Sequence, residues 1–232
     1  MVITQRWQNA DKTQVLKWTV YSLLLLNFGY YAVEETYIAS HTLRNGGSWL
    51  DWTEAFATTI DELGWFGLLF MFELETYILE DEAWESRRTL WMIHGVRILC
   101  YMMLAHTVLA RVTTVIDVES VVHAQEVTSL CQVADGETSW GENYRYELLT
   151  PENCGSLSSD TRFYYLEPTV ITDTDGFELE QKHAWVDLSD AVFWLLVVWA
   201  IELAVFLQNR DIVGGPLMTV SHAGRVFYVI LF

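Results

Sequence analysis

Long apolar segments are the feature that most restricts how this chain can fold. Five of them lie at 15–33, 55–79, 89–115, 186–208 and 217–232. Each is close to the ~20 residues needed to cross a bilayer. The apolar residues fall in continuous runs rather than at the spacing of an amphipathic helix, and 52% of the chain is hydrophobic. The sequence therefore predicts an all-α polytopic membrane protein, a bundle of five helices.

The first and last apolar runs affect how many spans are predicted. The first apolar run leads into Glu34 and Glu35 rather than into the small residues of a signal-peptide cleavage site, so we predict an uncleaved span. The last run is short and still apolar at Phe232. This predicts that the protein continues beyond that residue.

Basic residues in the short connections predict the orientation. They fall in the N-terminal tail and in the turns at 80–88 and 209–216, as Arg6, Lys12, Lys17, Arg87, Arg88 and Arg210. By the positive-inside rule these three segments share the cytoplasmic side. We therefore predict a bacterial inner-membrane protein with a cytoplasmic N-terminus and with 117–185 outside, in the periplasm.

Two of the predicted hairpins carry ionisable residues at matching positions. In each, a glutamate is followed 20 or 21 residues later by a His-x-x-Arg motif, and the two sets are Glu73, His94, Arg97 and Glu202, His222, Arg225. An ionisable residue at membrane depth costs roughly 2.5–3.5 kcal/mol on insertion scales. The internal repeat therefore predicts that these charges meet.

Helix geometry places each glutamate level with the arginine of its own hairpin. Glu73 lies about six residues before the inner end of its span, and Arg97 a similar distance into the next, at ~1.5 Å per residue. The same holds for Glu202 and Arg225. We therefore predict two intramembrane ion pairs, because either charge alone would be costly to desolvate. They either fasten the hairpins together or line a polar path.

Histidines accompany these arginines. His94 and His222 each lie one turn before an arginine, on much the same helix face. His106 lies about three turns beyond His94. Hydrogen-bonded structure or a proton path is the first interpretation. Paired histidines at equal depth could also ligate haem b, which His94 and His222 would satisfy and His106 would not. Apart from this haem alternative, no cofactor is predicted.

Carboxylates gather near the outer ends of the predicted spans, as Glu34, Glu35, Asp61, Glu62, Asp187 and Asp190. A ring of this kind concentrates cations at a pore entrance. Carboxylates are equally typical of solvated helix N-termini, where they favour the helix dipole. For Asp187 and Asp190 we favour the second interpretation.

The segment between the third and fourth spans predicts a small folded cap, because it is too long for a loop without structure. Cys131 and Cys154 both lie in it, on the oxidising side, so we predict a disulfide. Short β-like runs occupy 161–166 and 169–172. Asp173-Thr174-Asp175-Gly176 is a fragment of a calcium loop, but a β-turn is the better interpretation and no metal site is predicted.

The chain thus divides into a three-span region (1–116), an external acidic cap (117–185) and an incomplete hairpin (186–232). The net charge is -18. Acidity of this kind repels nucleic acid and attracts cations or basic partners, but solvation of the protein surface in a salty habitat is the interpretation we favour.

A family resemblance rests on the helix that contains Glu73. The run from Leu68 to Leu74 places Phe70 three residues before this glutamate, and Trp199-Ala200-Ile201-Glu202 repeats the spacing. With the first span, residues 15–80 resemble the first two helices of the voltage-sensor-type bundle in the ion-channel superfamily. In that family the glutamate is a countercharge to arginines, a role that the resemblance gives to Glu73 with Arg97.

These observations predict an ion-channel-like or transporter-like membrane protein rather than an enzyme, in contact with lipid and assembled as a homo-oligomer or within a larger membrane complex. Two alternatives remain open. One is a non-catalytic accessory subunit of a larger complex, whose cap docks a partner. The other is a haem- or quinone-linked redox subunit that uses His94 and His222.

Overall fold

The computed structural model describes residues 12–75, 79, 86–208, 210 and 219. The fold is mostly helical, and its helices are α1 (Lys12–Thr42), α2 (Trp49–Ala55), α3 (Ala57–Glu73), α4 (Arg87–Ser120), α5 (Cys154–Leu157) and α6 (Thr174–Gln208). The strands are β1 (Ser139–Glu142), β2 (Arg145–Leu148), β3 (Phe163–Glu167) and β4 (Val170–Asp173). The long helices form a bundle, and the chain between α4 and α6 forms a cap on one end of it.

Two helices, α4 and α6, are long and apolar enough to cross a membrane. The α2 and α3 helices meet the same criterion only as a pair, and the chain bends by 71° between them. The described residues thus give two or three candidate spans rather than five. The α1 helix is not among them, because Lys17, Asn27 and several tyrosines interrupt its aliphatic residues. The predicted span 217–232 falls outside the described part of the chain, apart from Thr219.

The helices extend further towards the cap than the apolar segments predict. The α1 helix continues nine residues beyond position 33, and α6 begins twelve residues before position 186. The predicted β-turn at 173–176 is therefore wrong. The Asp173 side chain accepts a hydrogen bond from the Gly176 N–H (3.0 Å), and Asp160 accepts one from the Thr174 N–H (3.2 Å). These carboxylates satisfy free N–H groups of the first turn, so a helix begins there.

The cap contains a four-stranded sheet in the order β2-β1-β4-β3. Antiparallel pairs form between β1 and β2 and between β3 and β4, while β1 and β4 run parallel, with Trp140 opposite Ile171. The two β-like runs predicted around Pro168 are strands β3 and β4. The β1–β2 hairpin was not predicted. Its turn uses Asn143 at a φ of 58°, a left-handed conformation that asparagine tolerates better than most residues.

The predicted disulfide is present between Cys131 and Cys154. It joins the short 3₁₀ turn at Leu130–Gln132 to α5. Directly beneath it lies the apolar core of the cap, formed by the buried side chains of Val127, Leu130, Trp140, Leu149, Phe163 and Ile171. The disulfide thus lies against the small apolar core of the cap and links two of the segments that pack on it.

The α4 helix occupies the centre of the bundle and packs against α3 on one side and α6 on the other. Gly64 and Gly67 on α3 make the first of these contacts close. A methyl group added at Gly67 would collide with the Cys100 sulfur, and one added at Gly64 would lie 3.1 Å from Leu104. Small residues of this kind let membrane helices approach each other.

The outward surface of the bundle is strongly apolar. Large side chains such as Leu26, Phe70, Trp91, Leu109 and Leu196 are more than half exposed. A soluble protein rarely exposes apolar surface on this scale. Together with the two candidate spans, this surface is consistent with a membrane location.

An acidic cavity beneath the cap as the candidate functional site

A cavity of about 340 Å³ lies where the cap meets α1, α3, α4 and α6. Seven carboxylates line it, and they are Glu34, Glu35, Glu54, Asp61, Glu180, Asp187 and Asp190. Among the described residues of its lining, Arg111 is the one arginine and there is no lysine. Five of the six outer carboxylates singled out in the sequence therefore surround one space. The sixth, Glu62, points to α1, where it accepts a hydrogen bond from Asn27 (2.6 Å).

Arg111 ties three helices together at this cavity. From α4 it donates a hydrogen bond to the Thr58 hydroxyl on α3 (2.9 Å) and lies 3.5 Å from the Asp187 carboxylate on α6. Asp187 is therefore an ion-pair partner thirteen residues inside a helix that begins at Thr174. The helix-dipole interpretation of Asp187 and Asp190 is wrong for this reason.

Two glutamates of the lining hold the α2–α3 corner in place. Glu35, which is only 8% exposed, accepts hydrogen bonds from the backbone N–H groups of Thr58 (2.8 Å) and Thr59 (3.0 Å). Glu54 accepts one from the Thr113 hydroxyl on α4 (3.1 Å). These two carboxylates therefore build the wall of the cavity.

Aromatic rings from the cap close the outer side. Tyr144 stacks on His183 of α6, with ring centroids 5.9 Å apart. Burial, followed by the carboxylates of Glu180 and Glu167, raises the pKa of Tyr146, so its hydroxyl stays protonated. On the α1 side, His41 packs against Tyr146, and its Nδ1 lies 2.8 Å from the Ser139 hydroxyl. Tyr144, Tyr146 and His183 thus line this space together with the carboxylates.

Trp65 and Trp194 form the inner side of the cavity. Their rings meet edge to face, with centroids 5.7 Å apart, and the Trp65 indole N–H donates to Asp61 (3.1 Å). Leu104 lies beside them in the lining. The acidic space therefore ends at apolar side chains before it reaches the opposite end of the bundle.

The predicted Glu73–Arg97 ion pair is not the one that forms. Arg97 pairs with Glu75, with Nη2 and Oε2 2.7 Å apart. Glu73 pairs instead with Lys17 of α1 and accepts a hydrogen bond from Tyr21 (2.6 Å). Two residues along a helix turn a side chain by roughly 200°, so Glu73 and Glu75 face different neighbours. Equal depth alone did not determine the partner.

In the second predicted hairpin, Glu202 accepts a hydrogen bond from the Tyr101 hydroxyl. Arg225 and His222 lie outside the described residues. The Glu202–Arg225 pair and the second half of the repeat therefore stay predictions.

The histidines of α4 are well separated. His94 is exposed, whereas the His106 ring lies against α2, with Nε2 3.2 Å from the Thr53 carbonyl oxygen. Within the described ranges no group of three or more His, Cys, Asp or Glu side chains is arranged to hold a metal ion.

Sequence reasoning missed Arg111, Glu54, Glu180 and Glu75. Arg111 carried a usable signal, because it is a second arginine within the predicted third span and lies four turns from Arg97. Glu54 and Glu180 carried none, since both fall in polar stretches outside the predicted membrane segments.

No known protein family, curated protein or solved structure matches this chain.

Proposed function

We propose that this chain is an ion-channel-like or transporter-like protein of a bacterial inner membrane, and that the cavity beneath the cap is where it collects cations. The observation that carries the proposal is the excess of seven carboxylates over one arginine among the described residues around a partly enclosed space. Rings of acidic side chains concentrate cations at the mouths of cation pathways.

The electrostatics favour a cation over an anion. Arg111 lies beside Asp187 and donates to Thr58, so its charge is partly offset. The charge of Arg111 also reaches Asp61 and Glu180, so within the described lining one arginine is shared among seven carboxylates. Low-dielectric walls such as Trp65, Trp194 and Leu104 strengthen their combined field within the space.

The opposite end of the bundle carries a second set of polar groups. Two pairs lie there: Arg97 of α4 with Glu75, just beyond the end of α3, and Tyr101 of α4 with Glu202 of α6. Between the two ends, α3 and α4 are tightly packed at Gly64 and Gly67. In the proposed function this apolar stretch is the barrier that a moving ion must cross, and a change in helix packing would open it.

Cation flux into liposomes tests the proposal. Asp61→Asn removes a carboxylate of the cavity without changing side-chain size and should reduce the flux several-fold. The matched control is Glu62→Gln, because Glu62 is the adjacent residue but faces Asn27 of α1. Equal flux in both variants, or no flux above protein-free liposomes for the unmodified chain, would contradict the proposal.

The orientation is tested separately. We propose that the N-terminus is cytoplasmic and the cap external, as the basic residues of the short connections indicate. A cysteine placed at Ser120, at the cap end of α4, should react with a membrane-impermeant reagent added to intact cells. Protection in cells together with labelling in inverted vesicles would reverse the orientation.

A further inference from the structure

The short helix α2 has two chemically distinct sides. At 100° per residue, Trp49, Leu50, Trp52 and Thr53 fall on one side and Asp51 and Glu54 on the other. The apolar side is open, since Trp49 is 79% exposed and Leu50 63%. The acidic side faces the protein and water, because Glu54 lines the acidic cavity.

The direction of α2 fits a helix that lies along a membrane surface. The chain bends by 71° between α2 and α3. The α3 helix has 17 residues, which at ~1.5 Å per residue is about 26 Å, close to the ~30 Å of a hydrocarbon core. With α3 crossing the bilayer along its normal, a bend of 71° would place α2 near the membrane plane.

A shallow apolar groove runs beneath α2. It has a volume of about 280 Å³ and is bordered by Trp49 and Leu50 of α2 and by Met102 and Met103 of α4. Among the described residues, no Asp, Glu, Lys or Arg lines it, and its polar members are Thr53 and His106. The groove is continuous with the exposed apolar surface of α4, where Met102 is 57% exposed.

We propose that α2 is an interfacial helix embedded in the cap-side leaflet, with its tryptophan side on the acyl chains and one lipid chain in the groove over Met102 and Met103. Amphipathic helices with Trp and Leu on one face and charged or polar residues on the other lie in the interface, with the apolar face buried about 5–10 Å. Tryptophan favours this level of the membrane. The proposal rests on the membrane location but not on cation transport.

Nitroxide accessibility measures the depth of α2 directly. In the full chain with Cys100→Ala, which leaves the cap disulfide intact, Leu50→Cys is labelled and the protein reconstituted in phosphatidylcholine–phosphatidylglycerol vesicles. The reference label is Asn45→Cys, in the exposed turn before α2. The ratio of collisions with oxygen to collisions with a water-soluble nickel chelate should be several-fold higher at position 50.

A label at Trp52→Cys should give the same high collision ratio as one at Leu50→Cys. Agreement between the two positions shows that the ratio does not come from a local distortion caused by one substitution. Ratios at 50 and 52 no higher than at 45 would overturn the proposal. So would spectral broadening that disappears on dilution with unlabelled protein, because it would mean that a second copy covers α2. The absence of cation flux would not change the collision ratios expected at positions 50 and 52. The two proposals can therefore fail independently.

Discussion

The Glu35 carboxylate on α1 accepts a hydrogen bond from the backbone N–H of Thr58 on α3 (2.8 Å). It accepts a second hydrogen bond from the Thr59 N–H. The start of α3 is therefore capped by a side chain of α1 and not by the residue that precedes α3. The junction between α2 and α3 is therefore held by a side chain that is 23 residues away in sequence.

We expect Glu35→Ala to lower the free energy of unfolding by about 1–2 kcal/mol, because it leaves two N–H groups at the start of α3 without an acceptor. Glu35→Gln should cost less, since the amide oxygen can still accept one bond. Thermal unfolding in detergent provides the measurement. Glu34→Ala is the control, and an equal loss in that variant would refute the capping role.

A double-mutant cycle distinguishes the partners of Arg97. Glu75→Gln and Arg97→Gln should show a coupling of about 1 kcal/mol, since the two side chains form a part-buried hydrogen-bonded ion pair. The corresponding cycle between Glu73 and Arg97 should give a coupling near zero. A larger coupling for Glu73 than for Glu75 would restore the pair that helix depth alone predicts.

The close contact between α3 and α4 can be tested at a single methyl group. Gly67→Ala should destabilise the bundle by about 1–3 kcal/mol, because the new carbon meets the Cys100 sulfur. Combining it with Cys100→Ala should recover most of the loss. Gly29→Ala on α1 is the control, since nothing lies within 4 Å of the added carbon. Failure of the second substitution to rescue the first would rule out this contact as the cause.

The cap should lose stability in acid through Asp160. The hydrogen bond donated by the Thr174 hydroxyl, followed by one from the Thr161 N–H, lowers the pKa of Asp160 to about 2 from its ordinary 3.8. A carboxylate whose pKa is lower in the folded state stabilises the fold above about pH 4. That contribution disappears as the pH falls towards 2.

Thermal unfolding followed at pH 6 and at pH 2.5 tests this dependence. Asp160→Asn should flatten the difference between the two pH values. Asp175→Asn, at an exposed position in the first turn of α6, next to the Thr174 that Asp160 binds, should leave most of it in place. An unchanged pH dependence in Asp160→Asn would assign the acid sensitivity to other groups.

The sequence predicted features that depend on local composition. The apolar runs located α4 and the membrane part of α6, and the alternation around Pro168 located β3 and β4. The two cysteines of the cap segment identified the disulfide. The helices and strands follow from residues that are near each other in the sequence. The disulfide follows because the cap segment contains two cysteines, which can form one pair.

Other features depend on how helices rotate and pack, which a single sequence does not encode locally. The sequence predicted the depths of Glu73 and Arg97 in the bundle. It did not predict how the helices are rotated about their axes, and this rotation brings Glu75 to Arg97. The parallel pairing of β1 with β4 joins strands that lie roughly 30 residues apart. The carboxylates of the cavity were recognisable one by one, whereas the tie made by Arg111 exists only after three helices have assembled.

The α4 and α6 helices run without interruption from the cap to the far end of the bundle. At ~1.5 Å per residue, each is a rod of about 50 Å. A tilt of about 5° at the cap end would therefore displace the other end sideways by about 4 Å. If α4 and α6 tilt as rigid bodies, a small rotation at the cap therefore becomes a displacement of several ångströms at the far end of the bundle.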